Sequence, residues 1–211
     1  MRTIHKGTEP VSLVRHRAVP NSDYDGYFEK DELREALVRE QRGICCYCMA
    51  RIRPDTTSMK IEHWHSQTSY PGEQLVYSNL LAACLGSEGD KGRHQHCDSR
   101  KGDRDLSRNP ANPADRVEKV IRYLPDGRIT SNDPAFDSEL NEVLNLNQPF
   151  LRNNRSEALH GFKNFLAKSG PLSKAKLEKW LRTWTGESTT GDLAPYCQVV
   201  VYWLRKRIAR A

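Results

Sequence analysis

Four pieces of sequence between Ile44 and Gly102 decide how the rest of the chain is read. They are Cys45-Cys46-Tyr47-Cys48, then Ile61-Glu62-His63-Trp64-His65, then Asn79-Leu80-Leu81 running on to Cys84, and last His96-Cys97-Asp98-Ser99-Arg100-Lys101-Gly102. The CxxC spacing of Cys45 and Cys48 lets two thiolates close on one ion, and Cys84 and Cys97 supply two further corners of a tetrahedral zinc site. The second pair is not a short knuckle: twelve residues separate Cys84 from Cys97, and His94 and His96 are near enough to substitute for either. Cys46 reads as a packed neighbour, and Cys197, on an apolar helical face, reads as core. Between the cysteines, Glu62, His63, Asn79 and Asp98 are residue types that hold a hard cation and activate water.

Working outward, Leu33, Ala36, Leu37 and Val38 fit one helical face from Asp31 to Arg42, with Gly43 placed to stop the helix just before the first cysteine pair. A polar loop from Arg51 to Ser58 precedes a strand from Met59 to Trp64, in which alternation sets Ile61 and His63 on one face and Glu62 and Trp64 on the other. A loop from Ser66 to Ser78 leads to a short apolar strand, Asn79 to Cys84. After a Gly-rich insertion from Gly86 to Gly92, a helix should start near Cys97 or Asp98. Residues 1 to 28 show no sustained period and read as an extended lead. Asn109-Pro110-Ala111-Asn112-Pro113 breaks the chain and divides it into 1–110 and 111–211. Beyond it, Val120 to Tyr123 and Arg128 to Thr130 flank an Asp126-Gly127 turn, the pattern of a β-hairpin. Ala158, Leu159, Phe162, Phe165 and Leu166 make a helical face ending at Gly170. Leu177, Trp180, Leu181 and Trp184 repeat that spacing after a Ser173 N-cap, and Pro195 opens a last helix through Val200, Leu204 and Ile208. The fold class is α+β with a C-terminal helical extension. Trp180, Trp184 and Trp203 lie on those appended helices, where they serve either a docking face or a small private core.

The bulk properties narrow the function classes. At 211 residues with 37% hydrophobic and 28% charged residues, the chain can bury a core. No apolar run approaches the roughly 20 residues of a membrane span, and the start is charged with no hydrophobic signal core, so the expectation is a cytoplasmic protein with no membrane partner. In that reducing compartment six cysteines point to metal rather than a disulfide framework. The net charge of +6 is unevenly spread: residues 1–105 carry 16 Lys/Arg against 16 Asp/Glu, and residues 106–211 carry 17 against 11. A surplus confined to one half suits either phosphate steering or a solvated helical surface.

The order CxxC, Glu-His, Asn-Leu, Cys, Cys-Asp-x-x-Lys-Gly resembles the HNH (ββα-metal) endonuclease family. The flanks Ile4-His5-Lys6-Gly7-Thr8-Glu9-Pro10, Glu40-Gln41-Arg42-Gly43-Ile44-Cys45 and Asn141-Glu142-Val143-Leu144-Asn145-Leu146-Asn147 resemble the PtuB-type HNH nucleases of Septu anti-phage systems and of some retrons. The likeness covers about residues 1–165. It implies a zinc-stapled ββα-metal core with a structural Zn²⁺ at Cys45, Cys48, Cys84 and Cys97, and a catalytic Mg²⁺ or Mn²⁺ held by Glu62 and Asp98. It also implies His63 as the base and Asn79 as the residue that orients His63 or its loop. Asp98 replaces the His or Asn common at the third letter, so the family's metal preference does not carry over. Arg100, Lys101 and Arg104 follow the helix start and are expected to meet nucleic-acid phosphates. The same likeness implies a hetero-oligomer with a PtuA-like ATPase. The alternative function is a zinc-stapled nucleic-acid-binding module that does not cut.

Overall fold

In the computed structural model, which describes Met1 to Ala211, helix α1 (Val11–Arg17) occupies part of the lead that sequence reads as irregular. It is seven residues long and buries only Leu13, leaving Val11 and Val14 exposed, so it carries no apolar period to find. Side chains hold it instead. Ser12 Oγ lies 2.7 Å from Tyr27 Oη, and Arg17 pairs with Glu9 and donates to the Leu75 carbonyl at 2.9 Å.

Helix α2 (Lys30–Gln41) buries Leu33, Ala36, Leu37, Val38 and Gln41, and ends where Arg42 and Gly43 take positive φ. The antiparallel pair β1 (Met59–His63) and β2 (Leu80–Cys84) follows, with Met59 opposite Cys84 and His63 opposite Leu80. Leu80 to Ala83 are buried on both faces, which accounts for the unbroken apolar run. A two-stranded sheet leaves unpaired edges, and Gln41 covers one of them. Its amide donates to the Ala82 carbonyl at 2.7 Å and its oxygen accepts the Ala82 N–H at 2.7 Å, so α2 is bonded to β2 as a third strand would be. The short helix α3 (Cys97–Lys101) packs on β2.

The second half contains α4 (Val117–Val120), the antiparallel pair β3 (Ile121–Tyr123) and β4 (Ile129–Ser131), and α5 (Pro134–Ser138), which a π-type turn continues to Val143. Asp133 caps α5 by accepting from Ala135 and Phe136 N–H, with Pro134 in the first turn. Three helices complete the chain: α6 (Pro149–Ala167), α7 (Lys174–Thr185) and α8 (Cys197–Ile208). Ser173 caps α7 as its position predicts. The last helix starts two residues after Pro195, because Tyr196 adopts the left-handed conformation at φ 56°.

Phe162 of α6 sits edge-on to Trp184, Trp203 and Trp180, with centroid separations of 5.2, 6.1 and 6.3 Å. These tryptophans pack α6, α7 and α8 together at the edge of the main core, and all three stay partly exposed. Buried apolar side chains from both sides of the 110/111 division join in one cluster of 37 residues, Met1 to Leu204.

The Asn141-to-Asn147 segment locks the second half onto α3. The Leu144 carbonyl accepts the Cys97 N–H at 2.9 Å, the Asn145 amide donates to Gln95 O at 2.8 Å, and Asn147 brackets Ile129 through its N–H and C=O, both at 2.9 Å. Gly86 closes the link between β2 and α3. It has φ +59°, its carbonyl accepts the His96 N–H at 3.0 Å, and a Cβ there would overlap the His96 carbonyl oxygen. Backbone cannot retreat as a side-chain tip can, so Gly86→Ala combines a left-handed penalty with a steric one. The expected loss is about 2–4 kcal/mol of stability in denaturant titration. A Gly72→Ala control, with nothing near its added Cβ, should change little.

Candidate functional site

Four sulfurs meet behind β2. Cys45 and Cys48 arrive from the turn after α2, Cys84 from the last residue of β2 and Cys97 from the first of α3, and all four ligand atoms lie within 4.8 Å of one another. Cys45–Cys97 and Cys48–Cys84 Sγ separations are 3.9 and 3.6 Å. A tetrahedron with Zn–S bonds of about 2.3 Å has edges of ~3.8 Å, so the donor set fits zinc. Backbone N–H groups of Cys84 and Ala50 point at Cys45 and Cys48 Sγ, at 3.3 and 3.4 Å, and stabilise thiolate charge. Burial opposes ionisation of Cys45, but the converging thiols of Cys46, Cys48, Cys84 and Cys97 outweigh it and hold its pKa well below the usual value. Hydrogen bonding to Cys45 and Cys48 pushes Cys84 up, and burial pushes Cys97 up. Cys97 takes φ 53°, an uncommon setting for a non-glycine residue and one that aims its sulfur into the cluster. His96 Nε2 contacts Cys84 Sγ at 3.7 Å from outside the four, while His94 is exposed beside Arg93, so neither displaces a cysteine. Cys197 packs with Ile44, Met49 and Leu193, and Cys46 is buried in the main core.

Glu62 and His63 leave β1 in opposite directions, as alternation requires. Glu62, 2% exposed, turns toward α3, where its Oε1 accepts from Tyr47 Oη at 2.7 Å and lies 3.0 Å from Lys101 Nζ. Burial, then the adjacent Asp98 carboxyl, push its pKa well above the carboxylate range, against Lys101 and Tyr47. With Oε1 engaged twice, Oε2 remains for a further partner. Two hard oxygen donors this close repel when both are ionised, and a divalent cation relieves that repulsion. Asp98 is partly exposed and is flanked by Lys60 Nζ at 3.5 Å.

His63 packs under Tyr24, ring centroids 4.5 Å apart and perpendicular. Its Nε2–H donates to the Gln74 carbonyl at 3.0 Å, and since a carbonyl only accepts, that bond leaves the lone pair on Nδ1. The Gln67 amide approaches that nitrogen at 3.2 Å. Burial lowers the His63 pKa to about 4; the Gln74 carbonyl and the Asp98 charge pull the other way.

Asn79 acts on the loop and not on the His63 ring. It accepts the His65 N–H at 2.8 Å and donates to the His65 and Glu73 carbonyls at 3.0 and 3.2 Å, cinching the two ends of the β1–β2 connection. His65 is fixed in the same loop, stacked on Tyr70 at 4.1 Å and donating to Glu73 at 2.8 Å.

The expected phosphate contacts need correction at Lys101. It is 1% exposed, pairs with Glu62 and donates to the His63 carbonyl at 3.0 Å, so its ammonium braces β1 against α3 and cannot meet a phosphate from solution. Arg104 spends its guanidinium on the carbonyls of Lys101, Glu142 and Val143, and Arg100 donates to Gly92 O at 3.1 Å.

The chain is similar to the Septu protein PtuB of Bacillus thuringiensis. The two are 25% identical over 151 residues, 69% of this chain and 54% of the relative, so the chain spans about half the length of the curated protein it matches. No protein-family model matches the sequence.

The flanking motifs have structural work in the site. Lys6 pairs with Glu40 and donates to the Leu80 carbonyl at 2.8 Å, and Glu40 also accepts from Tyr77 Oη at 2.8 Å and Gly7 N–H at 2.9 Å. Sequence reasoning missed Gln74, which contributes through its backbone and so leaves no residue-type signal. It also missed Tyr47 and Lys101 as partners of Glu62, where the signal existed: a polar aromatic inside the CxxC, and a lysine one helical turn after Asp98.

Proposed function

We propose that this protein is a metal-dependent HNH-type endonuclease, the effector of a Septu-type anti-phage assembly that also contains a PtuA-like ATPase. The observation that carries it is the pairing of the Glu62 carboxyl from β1 with the Asp98 carboxyl from α3, with the His63 ring of the same strand held by the Gln74 carbonyl so that Nδ1 is its accepting nitrogen. The order β1, loop, β2, α3 with a four-cysteine cluster, and the likeness to a Septu protein, support the same reading.

In this reading Glu62 and Asp98 would hold one Mg²⁺ or Mn²⁺. Once bound, that cation supplies Lewis-acid stabilisation of the charge that builds on the scissile phosphate. His63 Nδ1 takes a proton from water, and the Gln74 carbonyl stabilises the imidazolium that results. Tyr47 and Lys101 fix the Glu62 carboxylate, and Asn79 sets the loop that carries Gln67 and Gln74. The nuclease runs under the control of its ATPase partner in the cytoplasm; no helix is long and apolar enough to cross a membrane.

Burial of Glu62 and His63 favours the other reading, a nucleic-acid-binding module that does not cut. Plasmid nicking with Mg²⁺ or Mn²⁺, with the co-expressed ATPase present, separates the two. Cleavage that needs the divalent ion supports the nuclease, and intact plasmid under every condition removes it.

A further inference from the structure

A groove of about 770 Å³ lies away from Glu62 and His63, between residues 1–5, the α4–β3 segment and the end of α8. Arg116, Lys119, Arg122, Arg205 and Lys206 line it, and Glu118 is its one acidic side chain. That carboxylate is already spent, accepting the Thr3 N–H at 3.0 Å and pairing with Arg205 at 3.2 Å. Arg116, Lys119, Arg122 and Lys206 are exposed and make no ion pair, and Lys206 Nζ sits 4.9 Å from the centre of the Tyr202 ring. Four unpaired cations around one concavity repel one another. That cost persists unless a polyanion fills the groove, and closely spaced phosphates release counterions on doing so. Pro113 is shared between this groove and the concavity lined by Trp64, His65 and Asn79.

We propose that this groove binds the phosphodiester backbone of nucleic acid, without base readout, as the track of the substrate. Its purpose rests on the nuclease reading; its binding does not. A folded acidic protein is the competing occupant, but one groove with a single neutralised carboxylate and a tyrosine under a lysine suits a flexible phosphate chain better.

The test is fluorescence anisotropy of the full zinc-loaded chain with a labelled oligonucleotide, single- and double-stranded, without added divalent ion. Lys119→Glu with Arg122→Glu should weaken binding at least tenfold near 100 mM salt and flatten the salt dependence by about two phosphate contacts. Arg207→Glu with Arg210→Glu, exposed cations of the same helix end that do not line the groove, should do far less. Should the reversals disturb folding, Lys119→Gln with Arg122→Gln gives a milder loss in the same direction. Absent binding by the parent chain, equal losses in groove and control variants, or a groove variant that loses only its protein partner would each overturn the proposal. Groove-dependent binding without plasmid nicking would sink the nuclease reading and leave the groove standing.

Discussion

In the proposed nuclease, His63→Ala should abolish cleavage while the zinc and the fold are retained. Loss of a positioned base removes a rate term of about 10² to 10⁴, and no second imidazole is free to replace it, since His65 is held by Tyr70 and Glu73. The ring packs on Tyr24 at the edge of the core, so its removal leaves most of the buried cluster untouched. The carboxylates differ in what their removal does. Asp98→Ala takes away one partly exposed group and should slow cutting and shift the divalent ion required. Glu62→Ala does that and also leaves the Lys101 ammonium buried and Tyr47 unpaired, at a cost of about 3–5 kcal/mol in stability. Asp98→Ala is therefore the cleaner probe of metal binding. The readouts are nicking rate, bound zinc and far-UV circular dichroism; a His63→Ala protein that cuts at the parental rate makes His65 the next suspect.

The depressed pKa of His63 gives the same residue a pH signature. In the folded chain it stays neutral down to about pH 4, whereas the unfolded chain protonates it near 6.5. Below pH 6.5 the unfolded state therefore binds the extra proton, and stability falls as pH drops toward 4, by at most about 3 kcal/mol. Urea midpoints at pH 7 and pH 4.5 should draw apart more for the parent chain than for His63→Ala. Equal pH dependence in both would mean that the ring is not buried as described.

What was legible in the sequence was whatever repeats with the period of an element. The α2, α6 and α7 faces, the β1 and β2 strands, the β3–β4 hairpin and the Ser173 cap are written in spacing and turn chemistry, and the four cysteines in their placement at element ends. The resemblance lets alternation lapse at the end of β1 so that Glu62 and His63 could share a site, but the strand keeps it: Glu62 reaches α3 while His63 reaches the loop. What stayed hidden had no period. Helix α1 is pinned by Ser12 and Arg17 and not by an apolar face, and Gln74 acts through a carbonyl that every residue type possesses. Lys101 shows the limit of reading charge from sequence, because a lysine in a basic run looks solvated until its partner is known, and Glu62 lies 39 positions away.

The purified chain should carry about one zinc, and Cys45→Ser with Cys48→Ser should lose both the metal and the fold around it. The four ligands come from three separate places, the turn after α2, the end of β2 and the start of α3, so one ion ties together the elements that present Glu62, His63 and Asp98. Without it, four thiols within 4.8 Å include two whose pKa values are driven up and two whose values are driven down, an arrangement that holds only partial charge. Zinc lets all four deprotonate, and the binding energy of such sites, about 10–16 kcal/mol in zinc-finger peptides, is folding energy. It also offsets the left-handed backbone at Cys97, which would otherwise relax. Cys46→Ser and Cys197→Ser, which touch packing but not the ligand set, should keep the zinc and lose only modest stability. Elemental analysis beside thermal melts, before and after a chelator, gives the result. A metal-free chain that melts cooperatively at the parental temperature would show that the four thiols are only buried neighbours.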